Sequence, residues 1–190
     1  VIPLSSSTAS SRSSGNSKTS KARSVAFKLV PHAVLLLVLS VIVAAPKHTL
    51  FAWNYTPSMP EGLYVRAIID TPAVGKIIAF PAPTSVVEYA RRRGRTEDLP
   101  LLVKSLAAGP GDHVCVTDHL TINDQRIAPV LENGPDGVPL PRWRECRQLG
   151  NGEWFAYADR IPNSLDSRYY GPVHQSEIVG VFRPLWTADN

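Results

Sequence analysis

The chain has 190 residues, of which 44% are hydrophobic and 19% charged, with a formal net charge of +4. That length and apolar content suit one packed domain with a tail, and argue against a chain too polar to bury a core. Arg12, Lys18, Lys21, Arg23 and Lys28 all precede the first acidic residue, Glu61, and such a basic, acid-free end suits nucleic acid, anionic lipid or the setting of membrane orientation. The apolar segment that follows decides for orientation, and no nucleic-acid contact is expected.

Val1–Ser24 is rich in serine, carries scattered Lys and Arg and has almost no large apolar side chains, which predicts a disordered cytoplasmic tail. The run VPHAVLLLVLSVIVAAP (Val30–Pro46) is the most apolar in the chain. Its uninterrupted part, Ala33–Ala45, is short for a membrane span. Extended back to Val25 it reaches about 20 residues, enough to cross about 30 Å of hydrocarbon. Lys28 then snorkels, and Pro31 and His32 sit near the helix start. With no polar face, 25–46 is read as a transmembrane anchor in contact with lipid rather than as a buried soluble helix. The small residues of VAAP also suit a cleaved signal sequence, but an uncleaved anchor is favoured. The basic, acid-free flank puts the amino end in the cytoplasm and residues 47–190 outside.

Beyond the anchor, GLYVRAII, KIIAFPAP, LLVKSLAA, DHVCV, HLTIN, EWFAYA and IVGVFRPLW are short β-branched or aromatic runs. Gly, Pro, Asn or Asp punctuates most of them, which predicts a mainly β domain. One short helix is expected at SVVEYARRRG, with Ser85 and Glu88 as a capping box and Gly94 closing the end. Thr117–Gly150 is dense in turn residues and is expected to form a flap or subdomain. Cys115 and Cys146 lie on the exported side of the anchor, where disulfides persist, and a bridge between them would stabilise by roughly 3–4 kcal/mol in the chain-entropy model. A metal site pairing them with His113 and His119 matches no zinc spacing, so no metal is expected.

Three stretches carry chemistry. In NYTPSMPEGLYVR, Pro57 and Pro60 fix their own φ and push Thr56 and Met59 towards extended geometry. Ser58 therefore stands on a stiff turn, as an idle loop residue or as a nucleophile held for attack. Its base decides between them. The lysines beyond the apolar run are Lys47, Lys76 and Lys104, and only Lys104 lies within a strongly apolar strand pattern. In an extended strand Leu102, Lys104 and Leu106 share a face, where desolvation lowers the amine's pKa as a lysine general base requires. In ADRIPNSLDSRYYGPV, Ser164, Asp166 and Arg168 alternate. If extended they share a face, with Asp166 and Arg168 able to pair and Ser164 able to donate to a nearby amine.

PSMPEGLY, LLVKSLAAGPGDHV and NSLDSRYYGPV, in that order after an anchor, resemble the nucleophile, lysine and Asp-Ser-Arg boxes of the signal peptidase I (S26) family. The likeness is nearer to the TraF-type conjugative-transfer peptidases, whose features YARRRG, VPLPRW and VGVFRPLW resemble. The resemblance covers the chain from about Asn54 onward. It implies a signal-peptidase-like (LexA-like) β-fold with an N-terminal anchor helix and one short helix. It also implies a periplasmic catalytic domain at the bacterial inner membrane and no cofactor. Ser58 resembles the nucleophile and Lys104 the base. Thr56 with the Ser58 N–H resembles the oxyanion donors, and Ser164, Asp166 and Arg168 the supporting residues. The implied substrate is an exported precursor, foremost a conjugative pilin propeptide with cyclisation as a further outcome, alongside other transfer-apparatus proteins as partners. A general signal peptidase and a non-catalytic anchored assembly protein are the alternatives. His113, His119 and His174 lie in no recognisable base motif, and the chain has no Ser-x-x-Lys.

Overall fold

The computed structural model describes residues 49–95 and 99–188. The tail expected over 1–24 and the anchor expected over 25–46 lie outside them. Among the described residues no helix is long and apolar enough to cross a membrane.

In chain order the elements are β1 (Phe51–Asn54), β2 (Gly62–Arg66), β3 (Ile77–Phe80), α1 (Thr84–Arg92), β4 (Leu102–Ala108), β5 (His113–Val116), β6 (His119–Ile122), β7 (Gln125–Pro129), β8 (Cys146–Gln148), β9 (Glu153–Tyr157), α2 (Ser167–Tyr170), β10 (Val173–His174) and β11 (Gly180–Thr187). A 7-stranded sheet runs in the order β1-β2-β11-β3-β4-β9-β10 and a 4-stranded sheet in the order β7-β6-β5-β8. Every strand pairing is antiparallel. The mainly β expectation holds, and each apolar run named from the sequence contains a strand.

One hydrophobic cluster gathers Ile78, Phe80, Leu106, Ala156, Val173 and Val181 on the larger sheet. Another joins Ala108 and Phe155 of that sheet to Val114, Val116 and Leu120 of the smaller one. His48–Asn190 is accordingly one compact unit, and the turn-rich stretch after Thr117 supplies β6, β7 and β8 to it. Residues 130–142 pack Leu140 against Tyr89 and Tyr169, and Arg93 Nε donates to Asp136 at 2.5 Å. This arm braces α1 and α2, and no residue of 117–150 lines the cleft described below.

Two local expectations are corrected. The helix at 84–92 begins earlier than its proposed capping box: Pro83 is the N-cap with no side-chain cap bond, and Ser85 lies inside the first turn. Proline supplies a fixed φ at a helix start where its missing N–H is not needed. Gly94 does close the far end, with φ +77 and its N–H on Arg91 O at 2.9 Å. The Ser164–Arg168 segment is not extended. Asp166 instead caps a 4-residue helix, accepting from the Arg168 N–H.

Candidate active site

β1 and β2 form a hairpin in which Asn54 pairs with Gly62, and the loop between them carries Ser58. Gly62 has φ +149, and a Cβ there would lie 2.2 Å from the Trp186 carbonyl of β11. Only glycine lets β2 start so close to its neighbour. The turn is then cross-braced by side chains. Asn54 Nδ2 donates to the carbonyls of Thr56, Met59 and Pro60, and the Tyr64 hydroxyl donates to Pro60 O at 2.7 Å. Arg160 Nε reaches Pro57 O at 3.3 Å from the far side. Met59 is buried and takes a 3.8 Å contact from the Ser105 hydroxyl of β4.

β4 lies between β3 and β9, with Lys104 opposite Ile78. Lys104 is thus paired on the β3 side, and from Ser105 onward the strand is also paired with β9. Lys104 is 4% exposed and Ser58 3% exposed, and Lys104 Nζ lies 2.5 Å from Ser58 Oγ. The Ser164 hydroxyl is 3.4 Å from the same nitrogen. Burial pushes the Lys104 amine from 10.5 down to about 8, with Asp166 opposing the shift and Arg168 adding to it. Near neutral pH the neutral amine is then a minor but substantial species, of order one molecule in ten, where an unperturbed lysine would have roughly one in three thousand.

Thr56 Oγ1 lies 3.0 Å from Ser58 Oγ on the other side. Among the described residues no hydrogen bond occupies the Ser58 N–H.

Asp166 and Arg168 form a buried bidentate pair, Nε to Oδ1 at 2.8 Å and Nη2 to Oδ2 at 2.9 Å, with side chains 0% and 1% exposed. Arg168 also donates to Pro129 O at 2.9 Å and to Ser164 O at 3.1 Å, and it stacks over the rings of Tyr157 and Tyr169. Burial works against its charge, but the Asp166 carboxylate outweighs that and holds the guanidinium above its ordinary value. The pair thus fixes the Ser164 backbone, whose hydroxyl faces Lys104.

These groups open on a cavity of about 220 Å³ walled by Val86, Tyr89 and Ala90 of α1, by Leu99, Leu102, Ile161 and Leu165, and by Thr56, Ser58, Lys104 and Ser164. Arg93 and Arg95, both exposed, also line it. Every site residue anticipated from the sequence is brought to this cleft or its supporting shell, except the cysteine pair. Cys115 and Cys146 face each other across β5 and β8 and are joined as a disulfide in the smaller sheet, with Cα atoms 3.9 Å apart. Asn54 and the α1 wall are contributions that sequence reasoning misses. An asparagine ending a strand two residues before a Thr-Pro step is the available signal for the first. A buried serine in contact with a desolvated lysine, beside an apolar cleft, is equipped for acyl transfer.

The family model for peptidase S26, the signal peptidases, matches residues 22–186. The plasmid transfer protein TraF of Escherichia coli is 31% identical over 144 residues, covering 70% of this chain and 81% of that protein. The conjugal transfer protein TraF of Agrobacterium tumefaciens (strain 15955) is 30% identical over 142 residues, with coverage of 70% and 81%. A solved signal peptidase I of Enterococcus faecalis V583 is 25% identical, spans 60% of this chain and 97% of that one, and has a TM-score of 0.37. The chain belongs to the S26 signal peptidase family and is of its TraF type.

Proposed function

We propose that this protein is a membrane-anchored Ser/Lys endopeptidase that processes an exported precursor, the conjugative pilin propeptide foremost, in support of conjugative DNA transfer. The observation that carries the reading is the 2.5 Å approach of Lys104 Nζ to Ser58 Oγ in a buried site that pushes the lysine down to about 8. The conjugative role is supported by the plasmid and conjugal transfer names of the relatives. The basic, acid-free amino end and the Cys115–Cys146 pair support a periplasmic catalytic domain at the inner membrane.

Neutral Lys104 takes the Ser58 hydroxyl proton as Oγ attacks the scissile carbonyl carbon. The oxyanion accepts hydrogen bonds from the Thr56 hydroxyl and the Ser58 N–H, each donor contributing roughly 3–4 kcal/mol in comparable sites. The Lys104 ammonium then protonates the leaving amine, the C–N bond breaks, and an ester remains on Ser58. Lys104 next deprotonates a water, which releases the acid and restores Ser58. An amine of the substrate held nearby takes the same step to give a ring.

The test is incubation of the protein with candidate pilin precursors, with product masses read for wild type and Ser58→Ala. Cleavage by the wild type alone is expected, and a ring would be lighter than the linear product by one water. Cleavage by Ser58→Ala would refute the reading.

A further inference from the structure

The turn that carries Ser58 does not close through its own backbone. Pro57 and Pro60 have no N–H to give, and no backbone hydrogen bond lies within residues 55–61. Side chains do the closing, with Tyr64 on Pro60 O, Arg160 on Pro57 O and one amide, that of Asn54, reaching three carbonyls. Asn54 Nδ2 lies 2.8 Å from Thr56 O, 2.9 Å from Met59 O and 3.1 Å from Pro60 O. Pro60 O also receives the Tyr64 hydroxyl, whereas Asn54 is the only side chain given to Thr56 O and Met59 O among the described residues. On its other side, Asn54 Oδ1 accepts from the Thr56 N–H at 3.4 Å and from the Thr56 hydroxyl at 3.1 Å. The amide has one sensible orientation, because turned over it would set its oxygen against three carbonyl oxygens. Asn54 is 5% exposed and sits at the end of a paired strand, so the brace is itself anchored.

We propose that Asn54 is the positioning residue of this centre: it spans the two proline steps and holds both Ser58 Oγ against Lys104 and the Thr56 hydroxyl against Ser58. The inference rests on the reading of Ser58 as nucleophile. The Thr56 proton has two acceptors within reach, Asn54 Oδ1 at 3.1 Å and Ser58 Oγ at 3.0 Å. Asn54 therefore keeps that hydroxyl at the site in the resting state, ready to turn to an oxyanion. Without the brace, two turn carbonyls seek new donors and the Ser58 peptide is free to shift. A displacement of about 1 Å between reacting groups costs on the order of 100-fold in rate.

The test is single-turnover acylation of Ser58 in the full-length protein by N-acetyl-alanyl p-nitrophenyl ester, followed by nitrophenolate release and by the mass of the Ser58 peptide. Maximum rate and half-saturating ester concentration are read separately. Asn54→Ala should lower the maximum rate on the order of 100-fold while half-saturation moves less than about twofold, with the circular dichroism spectrum kept. Asn54→Asp keeps the acceptor for Thr56 and the shape but loses the three donated contacts, and it should be slowed comparably. Acylation by Asn54→Ala within about twofold of wild type overturns the proposal. If Asn54→Ala does not fold, Asn54→Asp decides: a normal rate overturns the donor role, and failure of both to fold makes Asn54 a folding residue and overturns it as well. Ser58→Ala separates the two readings. If it still releases nitrophenolate in a burst, the nucleophile assignment fails; if it is inert while the Asn54 variants react normally, this inference alone fails.

Discussion

Replacing Lys104 with methionine should stabilise the protein at neutral pH while abolishing turnover. Lys104 is 4% exposed, and burial brings its amine from 10.5 to about 8. Below about pH 8 the folded and unfolded chains both hold the proton, but the folded chain holds it at a cost of about 3 kcal/mol. Between about 8 and 10.5 the folded chain has released the proton and the unfolded chain has not, so stability climbs with pH. Above 10.5 the penalty is gone. Methionine fills a similar volume without a charge, and Ser58 Oγ keeps Thr56 as a partner at 3.0 Å. Subtracting about 1 kcal/mol for the lost lysine contacts leaves a gain of about 2 kcal/mol at pH 7. Urea unfolding of wild type and Lys104→Met at neutral and alkaline pH reads the difference, from which every shared titration cancels. The gap should shrink as pH rises through about 8 and turn slightly negative once the amine is neutral in both states, while wild-type activity rises to a plateau over the same range. A Lys104→Met protein less stable than wild type at pH 7, or a gap that does not change with pH, would refute the reasoning.

Arg168→Met strands Asp166 as an unpaired charge in a site with 0% exposure and should destabilise by about 3–5 kcal/mol in urea unfolding. Pairing it with Asp166→Leu should recover part of that stability, because the stranded charge is gone but so is the α2 cap, and activity should not return, since Ser164 stays unbraced. For topology, a reporter that works only after export, fused behind Asn190, should be active in cells, and the exported fraction should carry the Cys115–Cys146 bridge by non-reducing mobility. An active cytoplasmic reporter or free thiols in that fraction would overturn the orientation.

Ser58 and Lys104 are legible as candidate site residues because each breaks a local pattern. Lys104 is a lone cation in an apolar β run, and Ser58 is the residue between two prolines. Strand positions follow wherever runs of apolar residues face a core, as in Ile77–Phe80 and Leu102–Ala108. β1 was not legible, because its alternation is inverted: Phe51 and Trp53 face outward while Ala52 and Asn54 are buried. β7 and β8 read as loop because their polar side chains are mostly exposed. The Asp166–Arg168 pair was expected on an extended face, since alternation was the only periodicity available over so few residues. A 4-residue helix has no hydrophobic period, and it exists here because Asp166 caps it and Arg168 is held by partners distant in sequence. For Asn54 the sequence offers only its place before the Thr-Pro step, because its value comes from three carbonyls that the folded turn brings together.

The buried ion pair also differs in its work from what charge alone suggests. Asp166 draws the Lys104 amine up and Arg168 draws it down, and both are secondary to burial. A bidentate pair presents a nearly neutral face to its neighbours, so its net field on Lys104 is small. Its larger effect is mechanical. Arg168 reaches Pro129 O at the end of β7, the Asp166 cap of α2 and the carbonyl of Ser164 from one planar group. It thereby ties the smaller sheet and the last box to the lysine without cancelling the desolvation that lowers the lysine's pKa and supplies its neutral form. A lysine in place of Arg168 would keep the charge but lack the fork that makes these bonds at once. The centre therefore needs arginine for geometry and an apolar strand for pKa, and those two requirements fall on different segments of the chain.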